Sequence, residues 1–268
     1  MNRTALQPVS QLQGDARNIR FVLTDIDDTL TDEGKLAAET YAALWKLYTK
    51  GFIIIPVTGR PAGWCDMIIR QWPVHAVVGE NGAFVYYTVQ EGGVARIKTL
   101  FHPEIAQNNP QQQLKKLRDK ILAEIPGTRI ARDQPGRQFD LAIDFREDPP
   151  DLGFDVADEI KNLCEAEGAT AKVSSIHVNA WYGNYDKLSM TKKFFEEQFG
   201  LYDEDIRRQV IFCGDSPNDQ PMFEYFPYSC GVANVMSMID HISSPPSYVT
   251  EKAGGAGFVE LARILLEA

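Results

Sequence analysis

Four acidic side chains follow two short apolar runs of this chain. Asp25 and Asp27 come directly after RFVLT, and Asp215 and Asp219 come after QVIFCG. Carboxylates that converge on one place repel each other strongly unless a cation neutralises their charge. A hard divalent ion would do so, and Mg²⁺ with several waters fits such an oxygen-rich ligand set best. The acidic residues therefore predict a magnesium site, provided that the fold brings the two runs together.

The elements around these residues indicate how the fold does so. Apolar, β-branched runs alternate with segments of helical spacing in the first third of the chain and again from residue 187. Strands are predicted at 20–24, 52–58 and 209–215, and helices at 35–51, 61–72, 187–199 and 257–268. Apolar strands separated by helices are typical of a parallel sheet covered on both faces. We therefore predict an α/β fold with a doubly wound parallel-sheet core, whose strand ends gather the acidic residues at one rim.

The middle of the chain has a different pattern. It predicts a hairpin that turns at Gly92-Gly93, amphipathic helices at 111–127 and 151–168, and strands at 138–148 and 170–183. Two helices on one face of a small mixed sheet would form an inserted α+β cap. The predicted division is a core domain of residues 1–85 and 186–268, with 1–18 as a loose N-terminal lead-in, and a cap domain of residues 86–185.

Composition excludes several classes of function. The chain has 27 Lys and Arg residues against 37 Asp and Glu residues, so its formal charge of −10 disfavours binding to nucleic acid. Its apolar runs are too short to cross a bilayer, and its first residues lack the apolar segment of a secretory signal. The four cysteines show no CxxC spacing, which favours free, buried thiols in a reducing cytoplasm. We expect a cytoplasmic protein that binds neither membranes nor nucleic acid; its oligomeric state stays open.

Four short motifs occur in order along the predicted core. They are DIDDT from Asp25, TGR from Thr58, a lysine (Lys187) at a helix start, and GDSPND around Asp215. Together they resemble the four motifs of the haloacid dehalogenase-like phosphatases. The position and strand–helix pattern of the cap are similar to those of the Cof-like and sucrose-phosphate phosphatases in that superfamily.

The resemblance implies a role for each matching residue. Asp25 would be the nucleophile that forms an aspartyl-phosphate, and Asp27 would protonate the leaving alcohol and then activate water. Thr58 would donate a hydrogen bond to a phosphoryl oxygen, and Lys187 would pair with both Asp25 and the phosphate. The resemblance assigns Mg²⁺ to Asp25, the carbonyl oxygen of Asp27, Asp215 and Asp219. Thr29 and Asn218 would support the two acidic loops.

Residues that contact the substrate are predicted at the same rim and in the cap. The core candidates are Thr58, Gly59, Arg60 and Asn81, and Asn184 follows the last predicted cap strand. On that strand His177, Asn179 and Trp181 share one face, which would make a polar floor for a sugar or a packed surface.

Simpler interpretations stay open for single residues. An acid after a strand also caps helices, which is the other interpretation of Asp28 and Asp219. Lys192 is the alternative to Lys187, because a glycine commonly follows this lysine in relatives and Leu188 follows it here.

The predicted function is a Mg²⁺-dependent phosphatase that acts on a sugar phosphate or a similar small phosphorylated metabolite. A phosphomannomutase-like transfer within a sugar would use the same motifs, and a binding protein with residual activity is a non-enzymatic alternative. Carbon–halogen cleavage is disfavoured, because dehalogenases lack the acid at the position of Asp27. A receiver domain would be much shorter and would have no cap.

Overall fold

The computed structural model describes residues 6–14, 16–107 and 110–268. Its strands, in chain order, are β1 (Gln7–Pro8), β2 (Phe21–Thr24), β3 (Thr31–Asp32), β4 (Lys35–Leu36), β5 (Ile53–Pro56), β6 (Ala76–Gly79), β7 (Phe84–Glu91), β8 (Val94–Phe101), β9 (Arg129–Ile130), β10 (Asp140–Asp144), β11 (Thr170–Val173), β12 (His177–Trp181), β13 (Val210–Gly214), β14 (Ser229–Gly231) and β15 (Tyr248–Val249). Its helices are α1 (Ala38–Lys50), α2 (Ala62–Gln71), α3 (Pro103–Gln107), α4 (Gln111–Glu124), α5 (Gly153–Ala166), α6 (Lys187–Phe199), α7 (Asp203–Gln209), α8 (Gln220–Tyr225) and α9 (Gly254–Glu267).

A six-stranded parallel sheet forms the centre of the fold, in the order β1-β15-β14-β13-β2-β5. Val57 and Val78 form a parallel bridge that brings β6 next to β5. From β2 the chain continues to β5 on one side of the sheet, whereas the later strands β13, β14 and β15 lie on the other side. The direction in which strands are added therefore reverses between β2 and β13. Ligands bind beyond such a switch point, at the carboxyl ends of the strands. The predicted α/β class is confirmed.

Helices cover both faces of this sheet, because most residues of β2, β5 and β13 are apolar and buried. On one face Val22 and Ile54 pack with residues of α1, α2 and α9. On the other face Phe21 and Leu23 pack with residues of α6, α7 and α8. Neighbouring strand residues point to opposite faces, so a continuous apolar run supplies two cores and the prediction of a doubly wound sheet is correct.

A second sheet, in the order β11-β12-β10-β9, lies in the middle of the chain with α4 and α5 packed on one face. We call residues 111–181 the antiparallel module. All of its strand pairs are antiparallel, so the prediction of a mixed sheet is wrong. The hairpin β7–β8 pairs with β6 rather than with this sheet. The division at residues 85 and 86, which falls inside β7, stays a prediction.

The N-terminal segment is not a loose lead-in where the structure describes it. Gln7–Pro8 pairs with Tyr248–Val249 as the edge strand of the parallel sheet. Val9 and Leu12 are buried in the core that contains α9. These two apolar residues, three positions apart in an otherwise polar segment, hold the N-terminal segment against the core. The polar composition of the segment does not predict their burial.

The described residues include no helix that is both long and apolar enough to span a lipid bilayer. All four cysteines are buried and carry free thiols.

Candidate active site

Three carboxylates from two distant segments lie together at the carboxyl ends of β2 and β13. One side-chain oxygen from each of Asp25, Asp215 and Asp219 lies within 4.8 Å of the other two. Because β2 and β13 are hydrogen-bonded neighbours, the residues that follow them emerge side by side. All three residues are buried, and hard divalent cations are bound through such carboxylate oxygens. This donor set fits Mg²⁺.

Lys187 lies against this acidic cluster. Its Nζ donates to Asp25 Oδ1 at 2.8 Å and to Asp219 Oδ1 at 2.7 Å, and its side chain is 2% exposed. Helix α6 begins at Lys187 because Asp186 and Ser189 form a reciprocal capping box around its first turn. Lys192, the alternative, is paired with Asp203 at the surface. The fold therefore brings Lys187, and not Lys192, to the carboxylates.

Gly82 allows the start of α6 to approach so closely. Its φ is +105°, and a Cβ built on it would lie 2.1 Å from the carbonyl oxygen of Asp186. Atoms at that distance overlap, so the loop after β6 and the residue before Lys187 can meet only if no side chain is present.

Gly82→Ala is therefore expected to lower the free energy of unfolding by about 2–4 kcal/mol, since it combines a left-handed strain with a clash against backbone. Urea unfolding followed by circular dichroism measures this. Gly92→Ala is the matched control, because Gly92 also has a positive φ (+60°) but faces open space. The control is expected to lose about 1–2 kcal/mol. Equal losses of unfolding free energy in the two variants would show that the close approach of Gly82 to Asp186 does not add to the cost of the substitution.

Burial and like charge set the protonation of this cluster. Burial raises the pKa of Asp25 to about 7, against the opposing charge of Lys187. Burial, together with the neighbouring Asp25 and Asp219, raises the pKa of Asp215 well above its ordinary value. Burial alone would lower the pKa of Lys187, but Asp219 and Asp25 raise it above its usual value. One lysine thus leaves excess negative charge, which a bound cation would neutralise.

Hydrogen bonds hold the individual carboxylates in place. Thr29 Oγ1 donates to Asp215 Oδ1 at 3.3 Å, and its supporting role in the site stays a prediction. Asp219 Oδ2 accepts the backbone N–H of Asp215 at 3.1 Å. Asn218 Oδ1 accepts from the hydroxyl of Ser216 at 2.8 Å and so stiffens the same loop.

Asn234, which was not predicted, also orients Asp215. Its Nδ2 donates to Asp215 Oδ2 at 3.2 Å and to the carbonyl oxygen of Asp28 at 2.9 Å, linking the two acidic loops. Asn234 follows β14, the neighbour of β13 in the parallel sheet. Because residues beyond the carboxyl ends of parallel strands lie at the ligand-binding edge, the same rule that predicted the acidic residues could have predicted Asn234.

Arg60 clamps the Asp27 side chain. Its Nε lies 2.9 Å from Asp27 Oδ2, and its Nη2 lies 2.8 Å from Asp27 Oδ1. The guanidinium also contacts Asp133 and Glu147 of the antiparallel module, at 3.1 and 2.9 Å. In this structure a residue predicted to touch substrate is therefore paired with three carboxylates.

Part of the chain is similar to a known family. A family model described as haloacid dehalogenase-like hydrolase matches residues 22–122, which include β2, β5 and the DIDDT and TGR motifs. Over these residues the chain is similar to the haloacid dehalogenase-like hydrolases. A curated phosphoglycolate phosphatase of Methanospirillum hungatei is 26% identical to this chain over 255 residues, which are 92% of the chain and 96% of the relative.

Solved structures share the fold of this chain. The C-terminal domain of C. albicans trehalose-6-phosphate phosphatase aligns with a TM-score of 0.73 at 15% identity, covering 98% of this chain and 99% of that one. A Thermoplasma acidophilum protein aligns with a TM-score of 0.68 at 20% identity, covering 92% and 98%. The sucrose-phosphatase of Synechocystis sp., solved with sucrose and phosphate, aligns with a TM-score of 0.62 at 15% identity, covering 93% and 98%.

Beside the acidic cluster, the parallel sheet and the antiparallel module enclose a small cavity. Its lining includes Asp25, Asp27, Gly59, Arg137, His177 and Asn179. Its volume is about 10 Å³, room for one water molecule. The wall of a larger cleft of about 490 Å³ includes Asp28, Asp215 and Asn234.

The other predicted substrate residues have different surroundings. Thr58 is fully buried, and its hydroxyl accepts the backbone N–H of Arg60 at 3.0 Å, which leaves its proton free to donate. The Asn81 side chain donates to Asp140 Oδ2 at 3.2 Å, as Asn179 does at 3.0 Å. Among the described residues, Asn184 is exposed and does not line the small cavity.

Glu80 is a buried residue that the sequence did not single out. Its carboxylate accepts backbone N–H groups of Gln138 and Phe139, and of Ala62. It thereby joins the loop after β6 to the antiparallel module. Burial raises the pKa of Glu80 to about 7. Glu80 and Asn81 both have left-handed backbone, with φ of 42° and 56°, a strain that needs such support.

Proposed function

We propose that this protein is a Mg²⁺-dependent phosphomonoesterase that acts on a small phosphorylated metabolite through an aspartyl-phosphate on Asp25. The observation that carries the proposal is the 2.8 Å contact between Lys187 Nζ and Asp25 inside the acidic cluster. A carboxylate nucleophile beside a fixed ammonium group supplies what phosphoryl transfer needs, namely positioning and positive charge at the transferring oxygens.

The proposed reaction has two steps. First, an oxygen of Asp25 attacks phosphorus, the bond between phosphorus and the ester oxygen breaks, and Asp27 gives its proton to the departing alcohol. Then Asp27, now a carboxylate, takes a proton from water as that water attacks the phosphorus of the aspartyl-phosphate. Phosphate leaves and Asp25 is regenerated.

Other groups of the site would stabilise charge. Lys187 and the Thr58 hydroxyl would donate to phosphoryl oxygens whose charge increases in the transition state. Asp25, Asp215 and Asp219, with the carbonyl oxygen of Asp27, would hold Mg²⁺, which when bound supplies further positive charge for the phosphoryl group. The small cavity implies that the antiparallel module separates from the parallel sheet to admit substrate and closes again to exclude water.

For the substrate we propose a sugar phosphate or a metabolite of similar size. The relatives named above include phosphatases of phosphoglycolate, trehalose-6-phosphate and sucrose phosphate. His177 and Asn179, both buried in the wall of the cavity, offer polar groups to hydroxyl or carboxylate oxygens. The free, buried thiols support a cytoplasmic location.

The test is a panel of phosphorylated sugars and small phosphorylated acids, assayed for inorganic phosphate. Release from one or more of them is the expected result. Formation of a sugar phosphate isomer without phosphate release would favour the mutase alternative instead. Absence of both products across the panel would contradict the proposal.

Removing divalent cations with EDTA is expected to lower kcat at least about 100-fold, because the acidic cluster would lose the charge that the metal supplies. Excess Mg²⁺ should restore the rate. Phosphate release that continues at the full rate in EDTA would contradict the proposed metal site.

A further inference from the structure

The loop after β5 is held by the antiparallel module as well as by its own sheet. Arg137 Nη1 donates to the carbonyl oxygen of Gly59 at 2.6 Å. Asp133 and Glu147 both accept from Arg60, whose side chain is 3% exposed. The antiparallel module therefore forms hydrogen bonds with two successive residues of the TGR motif, Gly59 and Arg60.

Glu147 stands out in this group because its side chain is 34% exposed, whereas Arg60 and His177 are each 3% exposed. Its two oxygens are divided between two partners: Oε1 accepts from Arg60 Nη2 at 2.9 Å, and Oε2 lies 2.8 Å from His177 Nε2. The hydrogen bond from His177 and the charge of Arg60 lower the pKa of Glu147 to about 2. It is thus an ionised carboxylate that bridges β12 and the parallel sheet.

The same guanidinium that Glu147 contacts fixes Asp27. Two nitrogens of Arg60 contact the two oxygens of Asp27, a planar fork that sets the plane of the carboxyl group. A carboxylate has about four lone-pair sites, so this pairing leaves room for a proton directed at the substrate. The orientation of Arg60 therefore sets the orientation of Asp27.

We infer that Glu147 is a positioning residue which, through Arg60, directs the Asp27 carboxyl group at the leaving oxygen when the antiparallel module closes. The inference rests on the proposed function. When the antiparallel module opens, the contacts of Arg60 with Glu147 and Asp133 break, while its contact with Asp27 remains. The guanidinium group and the Asp27 carboxyl group can then change their orientation together. Closure restores both partners and with them the geometry in which Asp27 transfers its proton to the ester oxygen as the bond to phosphorus breaks.

The test uses two esters that differ in their need for a proton. Ethyl phosphate releases a strongly basic alkoxide unless the leaving oxygen is protonated, whereas 4-nitrophenyl phosphate releases a stable phenolate without help. General acid catalysis contributes about 10²–10⁴-fold, and misplacement of the acid removes part of this. Glu147→Gln is expected to lower kcat for ethyl phosphate about tenfold to 100-fold and for 4-nitrophenyl phosphate less than about threefold, with KM for both nearly unchanged.

Three further variants make the test specific. Arg60→Lys removes the planar fork and should show the same selective loss or a larger one. Because Glu147 acts through Arg60, the double variant with both Glu147→Gln and Arg60→Lys should have the same kcat for ethyl phosphate as Arg60→Lys alone. Glu159→Gln, on an exposed position of α5, is the control and should match the wild type on both esters. Thermal unfolding of each variant checks that the fold is retained.

Equal losses on the two esters, no loss on either, or additive losses in the double variant would overturn the inference and leave the proposed function intact. A wild type that releases phosphate from neither these esters nor the metabolite panel would overturn the proposed function and the inference together.

Discussion

Asp25→Asn is expected to lower kcat for every phosphate ester that the wild type hydrolyses by about 10⁴–10⁶-fold, the range seen when an enzyme loses its nucleophile. The amide cannot form the phosphoryl-enzyme bond, and it also removes one oxygen ligand from the acidic cluster. Measurement of phosphate release with saturating Mg²⁺ separates these effects, since excess metal compensates for weaker binding but not for a missing nucleophile. Mass spectrometry after an acid quench should detect one added phosphate on the wild type and none on the variant.

Asp66→Asn is the matched control for this substitution. Asp66 is exposed on α2 and pairs with Arg70 one helical turn away. Such surface pairs contribute little, so activity and stability should be close to those of the wild type. An Asp25→Asn enzyme with wild-type turnover would refute the aspartyl-phosphate mechanism, whatever the control shows.

Lys187→Met is expected to have the second-largest effect, with kcat lowered about 10²–10³-fold, the cost of removing one charge-stabilising donor. It should also lower the free energy of unfolding of the metal-free protein by about 3–5 kcal/mol, because the buried carboxylates of Asp25 and Asp219 lose their counter-ion. Mg²⁺ should stabilise this variant more than the wild type, since the cluster has then lost the ammonium group of Lys187 and the metal would replace its positive charge. Calorimetric unfolding with and without Mg²⁺ measures this difference.

Lys192→Met distinguishes the two candidate lysines. Lys192 pairs with Asp203 at the surface, and its replacement should change neither turnover nor the response to Mg²⁺. If the Lys192 variant lost activity and the Lys187 variant did not, the assignment of the catalytic lysine would be reversed.

Regular patterns in the sequence were enough to predict most of the fold. Helix α1 ends at Gly51, whose left-handed backbone stops it, and α2 begins directly after Pro61; the end of α1 and the start of α2 agree with the predicted helices at 35–51 and 61–72. The convergence of Asp25 and Asp215 followed from one rule, that the carboxyl ends of parallel strands share an edge. Their catalytic and metal-binding roles stay predictions, but their proximity is observed.

What the sequence could not supply were pairings between segments without local signals. Strand β1 has two residues, too few for any periodicity, and is defined by its partner β15. Two of the three carboxylates around Arg60, those of Asp133 and Glu147, come from positions 73 and 87 residues further along the chain. Glu80 directly precedes the predicted substrate residue Asn81, and it accepts the backbone N–H groups of Gln138 and Phe139 in the antiparallel module. Such contacts depend on tertiary packing, which a single sequence does not encode in any short window.

The pairing of β2 with β13 affects how the polypeptide reaches its native state. Phe21 lies beside Val210, about 190 residues later, so the central sheet cannot close until most of the chain has left the ribosome. Until then β2 and β5 present apolar faces and an unpaired edge, while the antiparallel module has all its strands within one continuous stretch and can assemble early. We therefore expect slow maturation of the central sheet, with the nascent N-terminal third dependent on chaperones and prone to aggregate when synthesis outpaces them.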